Sequence, residues 1–408
     1  MDPIKQAIEA LSEELIALRR DFHEYPELGY QEHRTAQVVE EYLQELGIET
    51  QRMTQTGVVG MIEGNAEGPV LMLRADMDAL PIQEENKLPY ASKTPGVMHA
   101  CGHDAHTAML MVAAKVLVGM KDELNGSVKL VFQPNEENAG ALPMINEGVL
   151  ENPKVDAVAG VHIWTPLPSG TVGLSAGGVM SGLDIFKILV RGYGGHSGYL
   201  ETAVDPIIAA SDIVLSAQRV QTREISCMKP TTMSFGKIEG GTKANIIPDI
   251  VTLEGSIRTL YDDGDDKAVM RLKRVAEKVA ETHSCECQME WFRENIALIN
   301  DENMVKVMMS AAREVAGEDE KVVSHSNMAS EDFSEFAAIV PGVFIFLGTG
   351  NETKETHYPH HNPRFNIDED VMPLGVELFV KGTISYFKQQ AAISKREEAE
   401  ERVGTDNQ

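Results

Sequence analysis

The sequence has few cysteines and no long apolar run. Four cysteines among 408 residues are too few for a disulfide framework in a chain of this size. A membrane-spanning helix needs roughly 20 consecutive apolar residues, and no stretch approaches that length. The start of the chain, Met1–Gln6, lacks the basic and apolar segments of a signal peptide. We therefore expect a cytoplasmic protein with no membrane partner.

Basic residues are scarce compared with acidic ones. The chain holds 36 Lys and Arg against 63 Asp and Glu, which gives a formal net charge of −27. Such a charge repels nucleic acid and argues against a nucleic-acid-binding function. Hydrophobic residues make up 43% of the chain, which is typical of a globular protein. We interpret the acidity as favouring solubility, with a salt-rich cytoplasm as the alternative.

Apolar strands alternate with helices in the first part of the chain and again near its end. Strand-like runs cover residues 57–62, 69–75, 127–132, 157–161 and 343–347. Helical spacing covers residues 4–22, 33–46, 105–120, 301–316, 331–338 and 370–390. Continuous apolar strands separated by helices predict an α/β domain whose mixed, mostly parallel sheet is flanked by helices.

Between these two parts the order of elements changes to β-α-β-β-α-β. The predicted elements cover residues 183–191, 203–221, 231–238, 250–259, 265–282 and 285–292. This order is ferredoxin-like. We predict a catalytic α/β domain of residues 1–182 and 296–391, an inserted ferredoxin-like domain of residues 183–295, and a charged, solvated C-terminal tail of residues 392–408.

The segment Met98–His106 is dense in metal-ligating side chains. It holds one cysteine, one aspartate and three histidines, among them Cys101, His103 and His106. Thiolate and imidazole are ligands that zinc, manganese, cobalt or nickel accept.

Four further groups of polar side chains lie at or after predicted strand ends. They are Asp76 with Asp78, Glu136 with Glu137, His162, and His360 with His361. In an open α/β sheet, ligands bind outside the carboxyl ends of the strands, so these groups could converge on one crevice.

The combined set fits a hydrolase with two divalent metal ions, which together activate a water molecule. Cys101 could bridge the ions as a thiolate, and Glu136 could act as the general base. Asp78 could orient an imidazole ligand. The remaining predicted ligands are His103, Glu137, His162 and His361. Each residue alone is better explained as structural, and His106, His357 and His360 are expected to be supporting or loop residues.

The motifs in this order resemble those of the N-acyl-amino-acid amidohydrolases. This group includes hippurate hydrolase and the plant auxin-conjugate hydrolases, within the aminoacylase and carboxypeptidase G metallopeptidase superfamily. The motifs that carry the resemblance are Arg74–Pro81, Met98–His106, Phe132–Glu137, Gly160–His162, Gly194–His196, Asn245–Asp249, Ser330–Phe333 and His361–Pro363. The resemblance extends from about residue 20 to the final helix.

The resemblance implies the same metal ligands, the same base and the same orienting aspartate. It also implies a small N-acylated amino acid as substrate, and an inserted domain that acts as a lid and often supports a homodimer. His196 resembles a histidine that stabilises the oxyanion, sometimes in the partner subunit's active site. Asn245 and Arg258 resemble residues that hold the substrate's carboxylate, which an arginine fork suits.

Two departures from the family pattern bear on specificity. Residues 197–202 differ from the small residues, aromatic and proline-histidine pair that often follow the glycine-rich turn, which bears on substrate preference. Asn135 stands where the family often has alanine, beside the predicted base.

Three alternatives stay open. The first keeps the family but makes the protein a dipeptidase, a carboxypeptidase or an N-acetyl-diaminopimelate deacetylase. The second makes Cys101 a nucleophile with His103 or His106 as its base. This second alternative leaves Glu137, His162 and His361 unexplained. The third is a non-catalytic metal- or peptide-binding scaffold.

Overall fold

The computed structural model describes residues 2–262, 264 and 267–405. Its helices are α1 (Pro3–Ala10), α2 (Ser12–Glu24), α3 (His33–Glu45), α4 (His103–Gly119), α5 (Ala141–Asn146), α6 (Pro206–Arg219), α7 (Ala268–Thr282), α8 (Glu302–Ala316), α9 (Phe333–Ala337) and α10 (Met372–Thr405). Its first eight strands are β1 (Thr50–Met53), β2 (Gly57–Glu63), β3 (Val70–Asp76), β4 (Ser127–Gln133), β5 (Ala157–Pro168), β6 (Val172–Gly173), β7 (Gly177–Met180) and β8 (Gly182–Arg191). The others are β9 (Gly195–His196), β10 (Thr231–Gly240), β11 (Ile246–Ile247), β12 (Ile250–Thr259), β13 (Glu286–Asn295), β14 (Leu298–Asn300), β15 (Val322–Val323) and β16 (Gly342–Gly350).

The chain folds into two compact units. The first comprises Met1–Gly177, Asn300–His325 and Glu335–Gln408. The second comprises Gly178–Ile299 together with Ser326–Ser334. The sequence pattern predicts that residues 326–334 belong to the catalytic domain, whereas the structure places them in the second unit.

The first unit is built on an eight-stranded sheet in the order β1-β2-β4-β3-β5-β16-β6-β15. The central pairs β4–β3, β3–β5 and β5–β16 are parallel, whereas β1–β2 and β2–β4 are antiparallel. Every residue of β3 is buried, which fits an apolar strand covered on both faces. The predicted mixed, mostly parallel α/β fold is confirmed.

Helix α4 packs in the core of the first unit. It is buried along nearly its whole length because its sequence is largely apolar. Apart from Lys115, its polar residues lie in the first five positions, at its N-terminus. Those N-terminal residues therefore enter the protein interior with the helix. Strands β3 and β4 end side by side, with Asp76 opposite Gln133 in register. Polar groups from three elements thus meet at one edge of the sheet.

Strand β5 is longer than the sequence predicts. It continues to Pro168, so His162 lies within the strand and is paired with Phe346 of β16. The sequence pattern predicts an end at residue 161, where the polar His162 interrupts the apolar run, and this prediction is wrong. Its side chain is nevertheless buried.

The second unit holds a four-stranded antiparallel sheet in the order β10-β12-β8-β13. Helices α6 and α7 pack on this sheet through a separate apolar core, which includes Phe186, Ile213 and Leu272. The order along the chain, β8-α6-β10-β12-α7-β13, is the β-α-β-β-α-β arrangement expected from the sequence.

The last helix is longer than predicted. Helix α10 runs to Thr405, through residues expected to form a solvated tail, while residues 406–408 lie outside the described part of the chain. The charged segment from Lys395 to Arg402 consists of Lys, Arg, Glu and Ala, which all favour helix. High charge alone was therefore the wrong signal for a helix end. Among the helices of the described residues, none combines the length and apolar character needed to cross a membrane.

Candidate metal centre

Gly102 sets the entry of the chain into α4. It has a φ of +89°, a left-handed conformation that favours glycine. A Cβ atom added there would lie 2.2 Å from Cδ1 of Ile163. Gly102 therefore lets the chain turn sharply against β5, between Cys101 and His103.

Two groups of candidate metal ligands share the thiol of Cys101. The first group is Cys101, His103 and His162, and the second is Cys101, Glu137 and His361. Within each group the ligand atoms lie within 4.8 Å of one another. The Cys101 Sγ atom is 3.8 Å from His162 Nε2, and His361 Nε2 is 3.1 Å from Glu137 Oε1. A thiolate common to two sets of ligands is the arrangement that would bridge two metal ions.

The histidines of the first group present the correct ring nitrogen. His162 Nδ1 donates to the carbonyl oxygen of Ile163 at 2.6 Å, and His103 Nδ1 donates to that of Asp78 at 2.9 Å. In each ring this leaves Nε2 with its lone pair available. His103 Nε2 is buried and has no hydrogen-bond partner among the described residues. Since buried nitrogens are normally satisfied, this one fits a metal ion.

His361 reaches the second group through its backbone. Its φ is +63°, and its N–H donates to the carbonyl oxygen of Ala100 at 2.8 Å. This bond places His361 beside Cys101. The side chain is 52% exposed, so the second group of ligands is open to solvent, as a catalytic metal site must be.

Asp78 organises the turn that carries the paired glutamates. Its Oδ1 accepts the backbone N–H of Glu136 at 3.0 Å, and its Oδ2 accepts that of Glu137 at 3.1 Å. Its Oδ1 also lies 3.3 Å from His103 Nδ1. One carboxylate thus contacts a ligand histidine and both glutamates, as expected for an orienting aspartate.

Glu136 lies beside the ligands without joining either Cys101 group. Its Oε2 is 3.9 Å from His103 Nε2, and the residue is buried. Glu136 and Glu137 also form a group with His103 in which the ligand atoms lie within 4.8 Å of one another, so both carboxylates face the site. A carboxylate placed beside the ligands suits a general base.

His106 is held on both sides of its ring. Its Nδ1 donates to Asp76 Oδ1 at 2.6 Å, and its Nε2 accepts the N–H of Ile163 at 2.9 Å. Asp76 is in turn bonded to Arg74 at 2.6 Å. With both nitrogens engaged, His106 has no lone pair left for a metal and instead ties α4 to β5.

His360 supports the site from a loop. Its Nε2 donates to the carbonyl oxygen of Ile163 at 3.1 Å, the same oxygen that His162 uses. Its ring stacks on Trp164 with centroids 4.4 Å apart. His360 lies in a turn, as expected for a loop residue, and these contacts fit the supporting role that the sequence predicts. His357 is exposed and stacks on Tyr358.

The electrostatics of the site favour bound cations. Burial lowers the pKa of His103, but the carboxylates of Asp76 and Asp78 outweigh it and raise this pKa to about 10. Burial lowers the pKa of His162 well below its usual value, which keeps this imidazole neutral, as a ligand must be. The carboxylates around His103 favour a positive charge there, which a divalent ion would supply in place of the ring proton.

The three predicted lid residues belong to the second unit. His196 in β9 pairs with Ile246 in β11, and Ser197 N donates to the carbonyl oxygen of Asn245 at 3.3 Å, so His196 and Asn245 are neighbours. Arg258 lies on β12, where Nη1 donates to the carbonyl oxygen of Met328 at 3.1 Å. Their roles stay predictions.

Sequence reasoning gives Asp104 a supporting role but does not identify its partners, and it misses Glu32. Asp104, at the start of α4, accepts from Arg19 Nε at 2.9 Å and His23 Nδ1 at 2.7 Å, and all three are buried. Glu32 accepts the N–H of Asn135 at 2.9 Å. No local pattern marks these residues, because their partners are far away in sequence. The adjacency of Asp104 to His103 was the one available signal.

Comparison with known proteins agrees with this geometry. Residues 72–382 match the model of peptidase family M20/M25/M40. Thermostable carboxypeptidase 1 of Saccharolobus solfataricus is 39% identical over 92% of this chain and 96% of its own length. N-acetylcysteine deacetylase of Bacillus subtilis is 37% identical over 92% of this chain and 97% of its own length.

A solved structure supports the same relation. The YXEP protein of Bacillus subtilis, described as a dinuclear metal binding peptidase from the M20 family, has a TM-score of 0.82 and 33% identity. The match covers 93% of this chain and 99% of that protein. The resemblance drawn from the motifs is confirmed, and the chain belongs to peptidase family M20/M25/M40.

Proposed function

We propose that this protein uses two divalent metal ions to hydrolyse the amide bond of N-acyl amino acids or related small conjugates, releasing a carboxylate and an amino acid. The observation that carries the proposal is the thiol of Cys101, which is shared by two groups of ligands. When bound, the ions would polarise the substrate carbonyl and lower the pKa of a water molecule. Zinc, manganese, cobalt and nickel all suit this combination of thiolate, imidazole and carboxylate.

Each side chain of the site has a defined role in this proposal. His103, His162 and Cys101 would hold one ion, and Glu137, His361 and Cys101 would hold the other. Glu136 accepts a proton from the attacking water and then delivers it to the leaving nitrogen.

Asp78 supports both parts of this centre. It fixes the ring of His103 and the turn that carries Glu136. The ligand and the base therefore keep a constant relative position.

The residues of the second unit complete the proposal. His196 would stabilise the oxyanion, and Asn245 with Arg258 would bind the substrate's carboxylate. The adjacency of His196 and Asn245 supports a common role. The second unit would act as a lid over the bound substrate.

We also propose a cytoplasmic homodimer that forms through the second unit. Strand β10 is an edge strand that pairs on one side only, with β12. On α6, Ile208 and Leu215 are 56% and 74% exposed. An unpaired edge beside exposed apolar side chains is typical of a protein interface. No disulfide joins the four cysteines, all of which lie in the described part of the chain, and this fits a reducing compartment. A molar mass from light scattering equal to that of one chain would refute the dimer.

A carboxypeptidase or dipeptidase activity is the second candidate, and the 39% identity to a carboxypeptidase favours it. The deciding experiment compares hydrolysis of N-acetyl, N-benzoyl and N-succinyl amino acids, N-acetyl-diaminopimelate and unblocked dipeptides, each with added metal. We expect N-acyl amino acids to be cleaved fastest. Cleavage confined to dipeptides or longer peptides would favour the second candidate, and no turnover of any substrate would favour a non-catalytic scaffold.

The same assay separates a metal enzyme from one that uses Cys101 as a nucleophile. Loss of activity with a chelator, and its return with added metal, is the expected result. Inactivation by iodoacetamide that is unaffected by bound metal, together with resistance to chelation, would support the nucleophile instead.

A further inference from the structure

We propose that Glu32 is a positioning residue for the base Glu136 and acts through the backbone of Asn135. This inference rests on the proposed function, in which Glu136 carries the proton. Glu32 is fully buried, and its two oxygens have different partners. Oε1 accepts the N–H of Asn135 at 2.9 Å, and Oε2 accepts the hydroxyl of Thr56 at 2.7 Å.

In the turn that carries the base, two buried carboxylates accept hydrogen bonds from three successive backbone N–H groups. Glu32 accepts from Asn135, and Asp78 accepts from Glu136 and Glu137. The carbonyl oxygen of Asn135 accepts the N–H groups of Asn138 and Gly140, so the turn also holds itself from the other side. Glu32 is the side chain that anchors the N–H of Asn135 to the rest of the unit, and it thereby helps to set the direction in which the Glu136 side chain leaves the backbone.

Asn135 needs such support because its backbone is left-handed, with a φ of +58°. Asparagine tolerates this conformation better than most residues. Its Nδ2 also donates to the carbonyl oxygen of Asn138 at 3.0 Å, which closes the turn from within. The asparagine that departs from the family pattern is therefore integrated into the turn that carries the base.

The segment around Glu32 is shaped to receive this turn. A Cβ atom added at Gly29 would lie 2.0 Å from Asn135 Oδ1 and 3.1 Å from Asn135 Cα, so Gly29 packs closely against the turn. The carbonyl oxygen of Glu27 accepts the N–H of Ala79 at 2.8 Å, next to Asp78. One segment, residues 27–32, thus contacts both the turn of Asp78 and the turn of Glu136.

Burial raises the pKa of Glu32 to about 7, and the nearby carboxylate of Asp78 adds to this effect. Protonated or ionised, Glu32 can still present an oxygen to the N–H of Asn135. A glutamine can do the same while its amide donates to Thr56. Glu32→Gln is therefore the variant expected to preserve the positioning, whereas Glu32→Asp is too short to reach both partners.

The experiment measures kcat, KM, metal content and thermal stability of Glu32→Ala, Glu32→Asp and Glu32→Gln. We expect Glu32→Ala to lower kcat roughly 10- to 100-fold, since small displacements of a catalytic group cost that much. We expect KM within about twofold and two metal ions per chain, because no ligand is altered. Glu32→Asp should be impaired and Glu32→Gln should recover most of kcat.

Glu27→Ala is the matched control. Glu27 lies in the same segment, and its carboxylate accepts the backbone N–H groups of Arg34 and Thr35 at 3.0 and 2.8 Å. It does not bond Asn135, so its loss should lower stability with little change in kcat. Equal losses of kcat in Glu27→Ala and Glu32→Ala would make the role of Glu32 merely structural and overturn the inference.

Hydrogen exchange gives a readout that does not depend on turnover. Exchange in peptides covering residues 133–140 should be faster in Glu32→Ala than in the wild type and unchanged in Glu27→Ala. Unchanged exchange at this turn in Glu32→Ala would overturn the inference. If Glu32→Ala does not fold, the kcat values of Glu32→Gln and Glu32→Asp test the inference instead. A higher kcat in Glu32→Gln is the expected result, and equal values in the two variants would overturn the inference.

A double-mutant cycle with Glu136→Gln separates this inference from the proposed function. When the base is absent, Glu32→Ala should cause no further loss of the residual rate. A full additional loss would mean that Glu32 acts elsewhere, while the base assignment stands. Activity retained in Glu136→Gln alone would instead refute the base itself.

Discussion

At the scale of single residues, Cys101 decides the chemistry of the site. It is the one residue common to both groups of ligands around α4. The Nδ1 atoms of His103 and His162 each donate to a backbone carbonyl oxygen. This bond fixes the ring and leaves Nε2 available for a metal ion.

The first expectation concerns the division of labour between the paired glutamates. Glu136→Gln should lower kcat roughly 100- to 10,000-fold, because general acid–base catalysis contributes that much, and should keep two metal ions per chain. Glu137→Gln is the control and should lose metal instead. Steady-state kinetics and elemental analysis measure both. A Glu136→Gln enzyme with ordinary turnover would contradict the assignment.

The second expectation concerns the shared ligand. Cys101→Ser should bind fewer than two ions per chain and lose activity, since a serine hydroxyl is a far weaker bridging ligand than a thiolate. Cys227→Ser alters an exposed cysteine of the second unit and should leave metal content and rate unchanged. Two tightly bound ions and a normal rate in Cys101→Ser would remove the bridging role.

At the scale of elements, the start of α4 and the ends of β3 and β4 build the site. Apolar runs and the positions of polar residues after them were enough to predict that these groups would meet. The supporting role expected for His106 agrees with its two bonded ring nitrogens, but those patterns could not identify its partners Asp76 and Ile163, which lie far away in the chain. They also missed Glu32, whose partners Thr56 and Asn135 lie far away in the chain.

The third expectation belongs to this scale and concerns the entry into α4. Gly102→Ala should lower the free energy of unfolding by about 1–3 kcal/mol, because of the left-handed φ and the close contact with Ile163. It should also weaken metal binding, since Cys101 and His103 flank the glycine. Denaturant unfolding and metal titration measure these effects.

Gly119→Ala, at the other end of the same helix, provides the control. A Cβ atom added at Gly119 meets nothing within 4 Å, so we expect no loss of stability and no change in metal binding. Equal behaviour of the two variants would show that the turn at Gly102 does not organise the site.

At the scale of the whole molecule, a metal-ligating unit is combined with a ferredoxin-like unit in one chain. The order of elements predicted both architectures, since alternation of strands and helices and the β-α-β-β-α-β series are each visible in the sequence. The boundaries were harder to predict. Residues 326–334 join the second unit through tertiary contacts, and α10 continues to Thr405 because its charged residues also favour helix.

The most direct test of the central claim is a metal titration of the chelator-treated protein, with hydrolysis of an N-acetyl amino acid as the readout. Activity should be absent without metal and should reach its plateau at two equivalents per chain, because both groups of ligands around Cys101 must be filled. Full activity in the metal-free protein, or a plateau at one equivalent, would contradict the account.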